Sequence, residues 1–146
     1  MSAITPISSQ GPFAQAIETS ASAMRAESVR MRLVSENLAN ANSTAAVAGG
    51  TPYRRKTLSF TESVDKASGA PIVKADKFGV DRSPFRTVYD PSHPAADAQG
   101  FVTLPNVSEL VEVADMREAE RSYEANLAAL GQARNMISKT LDILKA

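Results

Sequence analysis

The chain has 146 residues, about one domain by length, and its 16 basic residues match its 16 acidic ones, so no net field draws it to nucleic acid or an anionic membrane. No Cys and a single His leave disulfides, thiolate nucleophiles and zinc sites little to draw on. With 5% aromatic residues and no Trp, the composition suits thin helix-on-helix packing better than a thick globular core.

Residues 1–12, MSAITPISSQGP, hold Pro6, Gly11, Pro12 and four small hydroxyl residues, a composition expected to form a flexible tail. They lack both the basic start and the apolar stretch of a cleavable secretory signal. No apolar run in the chain approaches the roughly 18 residues that span a bilayer, so membrane insertion is not expected. The default placement is cytoplasmic unless a dedicated exporter handles the chain.

Residues 13–42 form the first predicted unit, a helix free of Pro and Gly. Phe13, Ile17, Met24, Met31, Val34, Leu38 and Ala41 fall on one narrow stripe, and Ile17, Met24, Met31 and Leu38 recur every seven residues. A stripe this narrow makes an isolated copy only marginally helical, so a partner is needed.

Residues 43–106 are punctuated by six of the eight prolines and five of the seven glycines, which forbids a long helix. Short β-like pieces at 57–60, 72–73, 87–89 and 101–104 predict a small hairpin-based sheet with long loops.

Residues 107–146 predict a second long helix, with Leu110, Val113, Met116, Tyr123, Leu127, Leu130, Ile137, Leu141 and Leu144 along its stripe. Asn106 or Ser108 can cap it, Glu109, Glu112 and Asp115 load its first turns, and Arg134, Lys139 and Lys145 gather toward its end, as the helix dipole prefers. The expected fold is mainly α with a small β insertion, the two terminal helices packed as an antiparallel coiled-coil-like pair. Rows such as Val34, Leu127 and Leu141 are expected to remain for outside neighbours.

Chemistry has few candidates. Asp90, His93 and Asp97 in DPSHPAAD would suit a metal site or a small hydrolase, but the flanking prolines read first as a rigid turn. Tyr53 with Arg54, Arg55 and Lys56 reads as a solvated strand face before it reads as a nucleic-acid contact. Gly49 and Gly50 lack the Lys and Ser or Thr of a phosphate loop. No catalytic activity, cofactor or metal is expected. From the residues alone, a soluble adaptor binding one amphipathic helix remains an alternative to an assembling subunit.

The segment SENLANANS at 35–43 contains Asn-Leu-Ala-Asn, which resembles the signature closing the N-terminal helix of bacterial flagellar axial proteins, the rod, hook and hook-associated subunits. Asn40 and Asn42 suit a helix end, because Asn tolerates left-handed backbone and satisfies loose carbonyls. Thr51, Pro52, Tyr53 and Arg54 resemble the family's step out of that helix. RRKTLSF at 54–60, DPSHPAAD at 90–97 and LPNVSELVEVADMREAERSYEANL at 104–127 are similar to the proximal-rod members rather than to hook or distal-rod subunits, whose central domains are larger. Two departures are the longer connector STAAVAGG at 43–50 and Glu120, where a neutral amide is common.

The resemblance implies a structural subunit that assembles with its own copies and other rod and axial subunits into a helical tube carrying torque across the periplasm. It implies export through the flagellar type III apparatus without a cleaved signal, terminal helices lining the inner tube, and a middle segment packed outside. The residues expected at the assembly interface are Ile17, Met24, Met31, Asn37, Leu38, Asn40, Met116, Tyr123, Asn126, Leu130 and Ile137. Free subunits are expected to have loose ends that order on assembly.

Overall fold

The computed structural model describes residues 11–145, so all of the expected tail except Gly11 and Pro12 lies outside the described residues. Helix α1 spans Pro12–Ala39, strands β1 to β4 span Lys56–Val64, Pro71–Val80, Arg86–Tyr89 and Phe101–Leu104, and helix α2 spans Glu109–Lys145. The fold is mainly helical with a β-containing insertion, as the sequence predicts.

The helices run antiparallel, with the end of α1 beside the start of α2. Asn42 donates to Glu109, Asn37 to Glu112, and Arg30 faces Asp115 and Glu118. Because α1 has 28 residues and α2 has 37, tying these ends together leaves the last turns of α2 running past Pro12. At about 1.5 Å per residue the overhang is roughly 13 Å.

What fills the seam differs from the large apolar side chains that mark it in the sequence. On α1 and just past its end, Ser20, Glu27, Val34 and Ala41 are buried at seven-residue spacing; on α2, Glu112, Ala119 and Ala133 are buried, with half-buried Asn126 completing that row. Small side chains let two helix backbones approach closely, and the bulky residues then flank the seam. Val34, expected to face outside neighbours, is instead buried at its centre.

A second face of α1 carries the β insertion, which no apolar period announces. Gln15 donates to the Ser68 carbonyl (3.0 Å), Thr19 to the Pro71 carbonyl (2.8 Å), and the Val73 amide donates to the Ser22 hydroxyl (3.2 Å). Buried Ser22, Ala26 and Leu33 lie on this side, so one helix serves two packing surfaces.

The strands make two separate antiparallel hairpins, β1 with β2 and β3 with β4, rather than one sheet. Strand β2 is ten residues long, although only Ile72 and Val73 read as β in the sequence. Lys74, Asp76 and Lys77 mask it, and the strand exists because β1 supplies its ladder and α1 its backing. The β1–β2 turn is held by Asp65, whose carboxylate accepts from the Ser68 hydroxyl (2.7 Å) and amide (2.8 Å). Those bonds hold Asp65 below the usual carboxylate range. Gly69 turns the chain with φ at 69°, a conformation costly to a residue with a Cβ.

Candidate assembly interface

The most specific arrangement forms where α1 gives way to β1 and α2 begins. Asn37 is fully buried and makes four hydrogen bonds: it donates to the Lys56 carbonyl (2.9 Å) and to Glu112 (3.1 Å), and accepts from the Tyr53 hydroxyl (2.7 Å) and the Lys56 amide (2.9 Å). The amide's two donors and two acceptor sites are thus all used. Glu112, also shut off from water, accepts from Arg55 Nε, and Arg55 reaches on to Asp115 at 3.2 Å. Burial together with the charges of Glu36 and Glu112 pushes the Tyr53 phenol up to about 12, which keeps it a donor to Asn37.

This network gives the Asn-Leu-Ala-Asn segment a physical role. Asn37 ties the helix end to the first strand and to α2, while Asn40 donates to the Glu36 carbonyl at 2.8 Å and so satisfies a last-turn acceptor. Left-handed backbone plays no part: Asn40 sits at φ −102°, and no described residue other than glycine has positive φ. Asn106 does not cap α2 either. Its side chain accepts from the Arg55 amide and donates to the Asp81 and Ser83 carbonyls, stapling two loops, and Ser108 precedes the helix, its carbonyl accepting from Glu112.

Of the residues expected at the interface, Met24, Tyr123 and Leu130 line one open groove between the helices, with Ala21, Arg25, Ser28 and Arg134. Ile17, Met31, Leu38, Met116 and Ile137 lie along the same pair, and every one of these eight is half-buried. Asn126 donates to the Ser122 carbonyl one turn back (2.8 Å) and is also half-buried. Beyond them, α2 leaves Leu110, Leu127, Leu141, Ile143 and Leu144 exposed. Sequence reasoning missed Arg55 and Glu112 as partners and the Ala119 and Ala133 row; the seven-residue spacing of small side chains was the available signal.

The Asp90, His93 and Asp97 trio builds a turn. Asp90 accepts from the Ser92 hydroxyl and amide and is held below the usual carboxylate range chiefly by that hydroxyl. His93 Nδ1 accepts from the Ala95 amide, and Asp97 accepts from the Gln99 and Phe101 amides. Among the described residues no cluster of carboxylates or histidine has metal-binding geometry, and no helix is long and apolar enough to cross a membrane. Arg54 stacks on the Phe85 ring and donates to the Asp81 and Ser83 carbonyls, an internal role rather than a free basic face.

Residues 17–45 match the family model described as flagella basal body rod protein, and residues 98–143 match that of the flagellar basal body rod FlgEFG protein C-terminal region. The flagellar basal-body rod protein FlgC of Agrobacterium fabrum is 50% identical over 92% of this chain and 97% of its own length. The chain belongs to the FlgC family of flagellar basal-body rod proteins. The FlgC proteins of Bacillus subtilis and Salmonella typhimurium are 41% and 39% identical, over 88% and 84% of this chain and 96% and 90% of their own.

The two family models fall on the two helices and their inner ends, which include the Asn37 and Glu112 sides of the buried network. Like its FlgC relatives, the chain is a structural subunit of the flagellar rod in the basal body and not an enzyme. That sets aside the adaptor and hydrolase readings. Rod membership also means that its partners are other rod and axial flagellar proteins.

Proposed function

We propose that this rod subunit meets copies of itself and other axial subunits through the half-covered rows on α1 and α2: Ile17, Met24, Met31 and Leu38 on one helix, Met116, Tyr123, Leu130 and Ile137 on the other. Asn37 and Asn40 shape the junction behind these rows, and Asn126 lies among them. The observation that supports this reading is that pairing of the two helices leaves the outer side of α2 open, with Leu127 and Leu141 each 50% exposed and Leu144 77% exposed. Apolar surface left in register along a 37-residue helix is completed by neighbours in a packed tube.

Contacts between different faces of one subunit do not close a dimer; they propagate, and an open helical array follows. In such an array torque is carried by many modest contacts. The terminal helices form the inner wall and the two hairpins face outward. Delivery runs through the flagellar type III export apparatus with no cleaved leader, and the rod then crosses the periplasm. A trimmed N-terminus on subunits recovered from basal bodies would contradict that route.

Replacement of Leu130 by Asp tests the rows directly. The change removes the apolar side chain that Leu130 brings to the groove it shares with Met24 and Tyr123, and a neighbour covering the groove would have to bury a carboxylate in place of that contact. The expected outcome is normal expression with no rods and no swimming. Normal swimming would show that this groove is not an interface.

A further inference from the structure

The groove floored by Met24, Tyr123 and Leu130 holds about 330 Å³, and its charged edges are both cationic. Arg25 lines it from α1 and Arg134 from α2, with no carboxylate among its walls. Arg25 already meets Glu18 at 2.7 Å, though an exposed pair of this kind is weak in water. Arg134 is exposed and forms no ion pair among the described residues. The occupant that complements such a groove is apolar where it enters and acidic beside that point.

A surface of this description runs along the outside of α2. Glu120, Glu124, Leu127 and Gly131 stand at i, i+4, i+7 and i+11, which places them on one line of the helix. Glu120 and Glu124 are exposed and form no ion pair among the described residues, and Leu127 is 50% exposed. Gly131 weakens the helix it sits in, yet a Cβ built there would meet no atom within 4 Å. Nothing inside the subunit therefore requires its bareness, which suits the close approach of another backbone.

We propose that this line on α2 of one copy seats in the Met24, Tyr123 and Leu130 groove of a second copy, Leu127 entering the groove and Glu120 and Glu124 meeting Arg134. Groove and line are different faces of one helix pair, so the contact repeats from copy to copy instead of closing a dimer. The assignment rests on the rod-subunit reading and names what fills one of its apolar rows.

Charge exchange reads the contact in swimming cells, and thermal unfolding of the purified subunit separates it from folding. Arg134→Glu, and Glu120→Arg together with Glu124→Arg, are expected to leave Tm unchanged, because all three positions are exposed. Each reduces swimming at least several-fold, and the chain carrying all three changes recovers it. Gly131→Leu is expected to leave Tm unchanged or raised while abolishing swimming. Full swimming with Arg134→Glu, or no recovery in the combined variant, would overturn the proposal.

Should any charge variant lower Tm, proximity decides. The chain has no cysteine, so Glu124→Cys with Arg134→Cys carries only the two thiols under test. Within one α2 these positions are ten residues apart, about 15 Å, too far for a disulfide, which needs Cα atoms within roughly 7 Å. Oxidised basal bodies containing this variant are expected to yield disulfide-linked multimers of the chain, and neither single variant does. Failure of the double variant to give them would overturn the contact, including the case in which another axial protein fills the groove. Absence of the wild-type chain from basal bodies would instead sink the rod-subunit reading itself.

Discussion

Where α1 ends and α2 begins, Asn37, Tyr53, Arg55 and Glu112 close a buried network with all four bonding positions of Asn37 used, whereas at the opposite end Met136, Leu141, Ile143 and Leu144 stand half or more exposed. The first region is complete within one chain, because directional polar bonds must find their partners inside the subunit that buries them. The second has apolar area and no partner for it among the described residues. On the proposed reading the buried network serves stability and the open apolar rows serve assembly, and substitutions in the two are expected to fail in different ways.

The sharpest contrast comes from Asn37→Ala. It strands Glu112 and the Tyr53 hydroxyl, and with each lost buried partner costing on the order of 1 to 3 kcal/mol the expected destabilisation is about 3 kcal/mol. Thermal unfolding of the purified subunit checks this, with Tm lower by roughly 10 °C; an unchanged Tm would show that the network is not a fastening. Ala119→Leu comes next. Ala119 is fully buried in the seam, and forcing larger groups into such a site costs about 1 to 3 kcal/mol. A denaturant midpoint unmoved by this change would mean that the helices do not approach closely there.

Leu127→Ser belongs to the other region. Half-exposed Leu127 is expected to change subunit stability by no more than about 0.5 kcal/mol while reducing swimming, the reverse of a core substitution. The smallest effect is confined to alkaline solution. Because Tyr53 titrates near 12 in the folded chain and near 10 unfolded, its protonated form favours folding. That contribution is complete below pH 10 and is lost as pH rises toward 12. Tyr53→Phe should flatten this part of the stability profile, which urea titrations at stepped pH would read.

Much of this was legible in the chain. Pro12 and Pro105 stand at or just before the starts of the two long helices, and the seven-residue rows predict helices whose bounds lie within a few residues of those found. The seam's true centre escaped the hydrophobic pattern, because Ser20, Glu27, Ala119 and Ala133 are small or charged and that pattern responds to bulk; only their seven-residue spacing marked it. The ten-residue β2 was hidden by its charged positions, since its ladder comes from a partner strand rather than from its own propensity. The rows proposed as the interface were visible as rows. That they flank the seam and stay half-open needed the packing.

Labelling of a single thiol tests the central claim most directly. In a Leu141→Cys variant, maleimide should react readily with the free subunit, where this position is 50% exposed, and slowly in isolated basal bodies, where a neighbour covers it. Equal reactivity in both forms, or protection already present in the free subunit, would contradict the account.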